Sequence, residues 1–275
     1  MARSILITGC SSGIGLDAAM TLSLRGWRVF ATCRDDDTST RLAASGVTPV
    51  NMEMSDADSI ARGLSDVLSQ TDGTLDALYS NAAFACPGAV EDLPTDALRA
   101  VFETNVFGLH ELTRRVIPVM RAQGHGRIVQ CSSVLGYVPM RWRGAYVASK
   151  FALEGLTDTL RLEMRDTPIK VVTLQPGPIA SRIRANSIPH FERWIDWKAS
   201  PRRAQYEATL LKRLYDPPGT DRFQLPASAA TRTLIRALEA ENPRPYYRVT
   251  TPARLMAFAR RILPSRALDA LLARG

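Results

Sequence analysis

Residues 4–26 constrain the architecture more than any other stretch of the chain. Ser4-Ile5-Leu6-Ile7-Thr8 is a short apolar run, and Gly9-Cys10-Ser11-Ser12-Gly13-Ile14-Gly15 follows at once. Leu16, Ala18, Ala19, Leu22 and Leu24 then recur with helical spacing up to Arg25-Gly26. This order predicts a strand, a glycine-rich turn and a helix. Glycines in such a turn let backbone amides approach a diphosphate closely, and the helix N-terminus adds partial positive charge. The spacing is G-x-x-x-G-x-G rather than G-x-G-x-x-G.

The same alternation continues. Trp27–Thr32, Val47–Glu53, Asp76–Ser80, Gly126–Cys131 and Ile169–Leu174 read as strands. Helical patterns occupy Ser59–Leu68, about Asp96–Arg121 and Tyr146 to about Arg165. Strands that alternate with helices pair in parallel through right-handed crossovers. The expectation is one α/β domain over residues 1–275, a Rossmann-type doubly wound parallel sheet of about seven strands. The pattern breaks at residues 182–225, which hold Phe191, Trp194, Trp197, Tyr206, Tyr215 and Phe223 among Pro201, Pro217 and Pro218. An aromatic insertion there lies at the carboxyl edge of the sheet, where such folds bind ligands. It is read as a mobile substrate lid, or as rings that simply pack the insertion onto the domain.

Composition narrows the class. The 275 residues are 45% hydrophobic and 23% charged, ordinary for a globular chain that needs neither disulfide nor metal. Cys10, Cys33, Cys86 and Cys131 show no C-x-x-C spacing, and His110, His125 and His190 stand apart, so reduced thiols and no metal site are expected. No leader-type run opens the chain and no apolar stretch reaches membrane-spanning length, so a cytoplasmic protein is expected. The formal charge of +8 is concentrated at one end: residues 244–275 carry seven arginines against one acid, Asp269. No nucleic-acid motif accompanies it, and nucleic acid is not expected as a partner.

Chemistry is signalled by Tyr146-Val147-Ala148-Ser149-Lys150. Positions four apart share a helix face, which brings a phenol and an ammonium together. A free phenol titrates near pH ~10, and a nearby cation lowers that value. Ser133, thirteen residues earlier at the predicted end of a strand, offers a hydroxyl to the same reacting oxygen. Trp27–Thr32 ends in Cys33-Arg34. Folds that hold NAD usually place an acid there, whereas a guanidinium suits a 2′-phosphate. Asp35, Asp36 and Asp37 partly oppose it.

Thr8-Gly9-x-x-x-Gly13-Ile14-Gly15, Asn81-Ala82-Ala83, Asn105, Ser133, Tyr146-x-x-x-Lys150 and Pro176-Gly177 occur in an order that resembles the short-chain dehydrogenase/reductase family over about the first 180 residues. Tyr146–Leu156 and the stretch around Arg34 look most like the branch of 17β-hydroxysteroid and retinol dehydrogenases and bacterial NADP-dependent aldehyde reductases. The resemblance implies NADP(H) as cofactor and a catalytic tetrad of Asn105, Ser133, Tyr146 and Lys150. Tyr146 would exchange the proton with the carbonyl oxygen, and Ser133 would polarise that oxygen. Lys150 would hold the nicotinamide ribose and lower the phenol's pKa, and Asn105 would anchor a relay water. Cofactor contacts implied by position are Gly9, Ser11, Ser12, Gly13, Ile14, Gly15, Arg34, Glu53, Asn81, Ala82, Tyr146, Lys150, Pro176, Gly177, Ile179 and Ser181. Three departures stand out: Ala83 replaces the family's glycine, Glu53 its aspartate and Ser181 its threonine.

The implied activity is interconversion of an aldehyde or ketone and an alcohol on an apolar substrate. Alternatives are a β-ketoacyl carrier-protein reductase and a catalytically silent NADP-binding regulator. Apolar residues on more than one face of the helices near Asp96 and Tyr146 (Val101, Val106, Leu109, Leu112; Phe151, Leu153, Leu156, Leu160) predict a homodimer or tetramer. In the tail, Pro252 opens and Pro264 stops a helix whose Leu255, Phe258, Ala259 and Ile262 share a face beside Arg254, Arg260 and Arg261. Ser265 is the expected N-cap of a second helix. This basic amphipathic extension, residues 252–275, suits peripheral contact with the inner membrane surface, or equally a cover over the active-site mouth.

Overall fold

The computed structural model describes residues 2–217 and 223–273. Parts of the expected lid (218–222, with Pro218) and of the tail (274–275) lie outside the described residues. Seven strands form one parallel sheet: β1 (Ser4–Ile7), β2 (Arg28–Cys33), β3 (Thr48–Asn51), β4 (Ala77–Ser80), β5 (Gly126–Cys131), β6 (Ile169–Gln175) and β7 (Tyr246–Arg248). Their spatial order is β3-β2-β1-β4-β5-β6-β7, and the order reverses beside β1. Ligands bind in such sheets at that switch point, outside the carboxyl ends of the strands.

The crossovers are α1 (Gly13–Leu24), α2 (Asp36–Ala44), α3 (Ala57–Gln70), then α4 (Thr95–Phe102) running through a π-helical turn (Glu103–Gly108) into α5 (Leu109–Ala122), and α6 (Gly144–Glu163). The sheet is buried on both faces, so its strands read as continuous apolar runs. Ile5 and Ile7 point to one side, with Ala18, Leu22, Leu42 and Leu234; Leu6 points to the other, with Phe30, Leu64, Leu112 and Leu153. Ile5, Leu6 and Ile7 are all fully buried, each worth about 1.5–3 kcal/mol of transfer free energy.

Helix α2 has no counterpart in the sequence reading. Only Thr38 and Leu42 of it are buried, too few to set up a visible period. It is held instead by its N-terminus, where the Asp35 carboxylate accepts from the Thr38 amide at 2.8 Å and Asp36 and Asp37 sit in the first turn. The long helix expected from Asp96 to Arg121 is interrupted by the π-helical turn, where a Cβ on Gly108 would lie 1.7 Å from the Met54 carbonyl oxygen. That close approach to the loop after β3 fixes the position of Asn105.

The insertion contains α7 (Ile183–Trp194), α8 (Arg203–Gln205), a π-helical turn (Tyr206–Leu210) and α9 (Leu211–Tyr215). Phe191 and Tyr206 are fully buried against Cys86, Ala89, Ala97, Val101 and Ala145, with Trp194 and Trp197 beside them. The Tyr206 hydroxyl donates to Asp92 at 2.7 Å and accepts from the Ala89 amide at 2.8 Å. Phe191, Trp194, Trp197 and Tyr206 therefore pack the segment onto the domain, whereas Tyr215 and Phe223 are each about half exposed.

The chain ends in α10 (Ala227–Glu239), α11 (Thr251–Ile262) and α12 (Ser265–Leu272). Thr250 caps α11, its hydroxyl accepting from the Ala253 amide at 3.3 Å. Ser265 does not cap α12: Pro264 occupies the N-cap position, and Ser265 is the first helical residue. The apolar set expected at an interface needs the same correction. Val101, Val106, Leu109, Leu112 and Leu153 are buried inside the domain; of the expected set Leu156 does face outward, and Phe107 and Leu162, outside that set, face outward with it. Among the described residues no helix is long and apolar enough to cross a membrane.

Candidate active site

The loop after β1 and the loop after β4 are fitted to each other. Gly9 has φ +73°, a conformation L side chains rarely adopt, and a Cβ there would stand 2.8 Å from the Ala82 Cα. A Cβ on Gly15 would stand 2.2 Å from the Gly9 carbonyl oxygen. The Thr8 hydroxyl accepts from the amides of Asn81 and Ala82, each at 2.9 Å, and the Asn81 side chain returns a bond to the Thr8 carbonyl at 3.0 Å. Ser12, the N-cap of α1, makes no side-chain capping bond. First-turn amides of α1 thus remain available to an anion. Ser181 lies against Gly13, at 3.2 Å from a Cβ placed there, and Ile179 bridges to Leu225. Pro176 accepts from the Val134 amide at 2.7 Å, and Thr250 presses on Gly177. A cradle that side chains would fill, with unsatisfied amides at its floor, fits a dinucleotide diphosphate.

At the end of β2, Cys33 is buried and Arg34 is exposed. Arg34 pairs with Glu53 at 3.2 Å. Partial burial works to raise the Glu53 carboxyl, but bonds from the Ser55 amide, Arg34 and the Ser55 hydroxyl outweigh it and hold the group below its usual range. A second guanidinium reaches the same place: Arg41, from α2, donates to the Ser11 carbonyl at 2.6 Å. The sequence reading missed Arg41 because it missed the helix that carries it.

Four residues from three elements meet beyond the end of β5. Ser133 follows the strand and accepts from the Leu135 amide at 3.1 Å, which leaves its proton free to donate. Tyr146 and Lys150 share a face of α6, the ammonium 5.6 Å from the phenol ring centre. Lys150 is almost wholly buried and donates to the Cys131 carbonyl at 2.7 Å, tying α6 to β5. Asn105, fully buried in the π-helical turn, accepts from the Phe84 amide at 3.0 Å and donates to the Phe84 carbonyl at 2.9 Å and to Ser149 at 3.0 Å. Ser149 in turn donates to the Tyr146 carbonyl at 2.8 Å. The Asn105 side chain is thereby a brace between the β4 loop and α6.

The expectation of a lowered phenol pKa is not met by the protein's own charges. Withdrawal from water pushes Tyr146 above its ordinary range, and the Ser133 hydroxyl and the Arg143 charge only partly oppose this. The Lys150 ammonium, expected to act together with a cationic cofactor ring, is itself disfavoured by burial and is turned toward Cys131. His190, from α7, stacks on Phe84 at 4.1 Å, and burial pushes its pKa down. His125 lies on the surface against Asp76.

Residues 3–190 match the model of the short chain dehydrogenase family. The chain belongs to that family. It is accordingly an oxidoreductase of the short-chain dehydrogenase/reductase type. It is 36% identical to the uncharacterized oxidoreductase YbbO of Escherichia coli (strain K12) over 99% of this chain and 94% of that protein. Human retinol dehydrogenase 8 is 35% identical over 65% of this chain and 60% of its own length. A crystal structure of a short-chain dehydrogenase from Streptomyces avermitilis superimposes with a TM-score of 0.80 at 26% identity, covering 100% of this chain and 96% of that one.

Proposed function

We propose that this short-chain dehydrogenase interconverts an aldehyde or ketone and an alcohol, on a substrate with an apolar body, using NADP(H) and Tyr146 as general acid and base. The observation that carries the reading is the meeting of Ser133, Tyr146 and Lys150 beyond the end of β5, with the ammonium 5.6 Å from the phenol ring centre. The nicotinamide supplies or accepts the hydride. Tyr146 gives its proton to the carbonyl oxygen during reduction, while the Ser133 hydroxyl donates to the same oxygen and holds it in place. Lys150 balances the phenolate that remains. Phe84, Trp142, Ile188 and Trp194, all partly exposed, belong to the apolar cluster that includes Ala145 beside the phenol, and supply a wall for an apolar substrate.

For the cofactor, the fold alone does not choose: one related structure is a complex with NADP and another with NAD. Arg34 and Arg41 favour a 2′-phosphate, and Glu53 competes for Arg34. NADPH is expected to bind at least tenfold more tightly than NADH, and Arg34→Asp to narrow or reverse the ratio. Dissociation constants for both nucleotides, with a panel of aldehydes and ketones followed by NADPH absorbance, test both parts. Equal or tighter NADH binding refutes the cofactor choice. Tight NADPH binding without turnover on any carbonyl in the panel, carrier-protein thioesters included, refutes the enzyme and leaves the silent regulator.

Assembly is part of the same proposal. Phe107 is about half exposed at the π-helical turn and Leu156 on α6, apolar surface that a two-fold partner would cover. A mass of twice the chain or more is expected by light scattering; a concentration-independent monomer refutes it.

A further inference from the structure

Tyr146, Lys150 and Glu154 follow one another down α6 at four-residue steps, so each shares a face with the next. The first two belong to the site described above. Glu154 is only 8% exposed, although a carboxyl group is costly to withdraw from water and an apolar side chain would fill the same space without that penalty. Burial pushes its pKa up, and the Ser132 hydroxyl and the Gln175 carboxamide only partly oppose this. The carboxyl accepts from Gln175 Nε2 at 2.9 Å, a bond wholly inside the protein at the end of β6.

Its other neighbours belong to the segment that carries Ser133. A Cβ on Gly136 would stand 2.9 Å from both the Cγ and the Oε1 of Glu154, and closer still to the Ser132 hydroxyl oxygen. A glycine is what lets the main chain sit that close against the carboxyl. Gly136 closes the 3-10 turn Val134–Gly136, its amide donating to the Ser133 carbonyl at 2.9 Å. The same turn presents the Leu135 amide, which holds the Ser133 hydroxyl oxygen at 3.1 Å. Toward β6, the Ser132 and Val134 amides donate to the Leu174 and Pro176 carbonyls at 2.8 and 2.7 Å. Lys150 fastens α6 to the Cys131 carbonyl, just before the segment, and Glu154 meets it at Gly136, its far end. The helix that carries the phenol thus grips the serine segment at both ends.

We propose that Glu154 is a positioning residue for Ser133: from α6 it sets the turn at residues 132–136, and through that turn the orientation of the hydroxyl that meets the reacting oxygen. The inference rests on the carbonyl–alcohol reading for what Ser133 does, and on the packing around Gly136 for how Ser133 is held. Glu154 exchanges no proton in the reaction. Its contribution is the precision of the Ser133–Tyr146 geometry, and a misplacement of about 1 Å can cost on the order of a hundredfold in rate. Glutamine keeps both the volume and an acceptor for Gln175, so it is expected to serve in place of Glu154, whereas alanine keeps neither.

The test has a turnover arm and an exchange arm, both on the full chain, with each variant checked for an unchanged far-UV spectrum. Glu154→Ala is expected to lower kcat for carbonyl reduction at least about tenfold, with KM and NADPH affinity within a few-fold, and Glu154→Gln to regain most of that loss. A double-mutant cycle separates positioning from a general loosening of the fold. Once Ser133→Ala is present, Glu154→Ala is expected to cost less than about twofold more, read in single turnover. In the exchange arm, the Leu135 and Gly136 amides are expected to exchange with solvent at least about tenfold faster in Glu154→Ala, with the amides of β5 and β6 unchanged. Where Glu154→Ala does not fold, Gly136→Ala, whose Cβ pushes the turn off the same carboxyl, takes its place in both arms. An undiminished kcat overturns the positioning role, and so does an equal loss in the Ser133→Ala background. Unchanged exchange at Leu135 and Gly136 overturns it as well. Faster exchange there in a protein that turns over no carbonyl fails the carbonyl reading and leaves the placement of Ser133 by Glu154 standing.

Discussion

Tyr146→Phe is expected to lower carbonyl reduction by at least about two orders of magnitude, the loss that follows removal of a positioned general acid. The substitution keeps the ring and deletes only the hydroxyl that carries the proton. NADPH affinity is therefore expected to stay within a few-fold of the unmodified protein, as read by fluorescence titration. Lys150→Ala has a different signature. Its ammonium ties α6 to the Cys131 carbonyl, so both turnover and cofactor binding should fall. The pH dependence carries a sign. Burial raises the Tyr146 pKa, which stabilises the neutral phenol, so the protein alone holds the acid form through neutral pH. Reduction should then be flat near neutrality and decline only as pH rises toward the phenol's pKa, and the decline should vanish in Tyr146→Phe. A Tyr146→Phe enzyme with near-normal turnover would show that another group supplies the proton.

What the sequence disclosed about this site was set by local geometry. Tyr146 and Lys150 are four apart on one helix, and the glycine loop lies between a strand and a helix, so short-range spacing alone places them. Ser133 was legible because β5 ends where its apolar run ends. The residues that escaped depend on tertiary placement. Arg41 reaches Ser11 from a helix with two buried residues. Nothing in the spacing says that Trp142, just before the Tyr146 helix, adopts a left-handed backbone. The phenol's pKa is likewise beyond the reach of spacing: a motif gives the identity of a neighbouring cation but not the depth of burial, and in the protein alone burial is the larger influence. In the tail the helices were anticipated from proline placement, whereas which face turns inward could not be, since both carry apolar residues.

That face decides the last expectation. Helix α11 sits on the domain through Ala253, whose carbonyl accepts from the Tyr137 hydroxyl at 2.6 Å, and through Arg260, which bonds to the Tyr137 carbonyl and lies 5.1 Å over the Phe151 ring. Leu255, Phe258 and Ile262 point away from the domain, each more than half exposed, and Arg254, Arg261 and Arg266 are exposed with them. A cover packed on the active-site mouth would bury that stripe; an acidic lipid surface matches both its apolar and its cationic character. We propose that it docks there. Each arginine near such a surface contributes about 1 kcal/mol, so three give roughly a hundredfold in partitioning, and the effect fades within a Debye length. Partial burial of Phe258 and its neighbours adds a salt-independent part. In co-sedimentation, the full chain should pellet with phosphatidylserine-containing vesicles at low salt, stay in solution with phosphatidylcholine alone, and be released from the acidic vesicles by high salt. Arg254→Glu with Arg261→Glu should abolish the pelleting without altering NADPH affinity, because both side chains are on the exposed side of α11. If the chain remains in the supernatant with acidic vesicles at low salt, the lipid reading is wrong. Should Phe258→Asp then halve the mass in light scattering, the stripe is an interface between two copies of this chain.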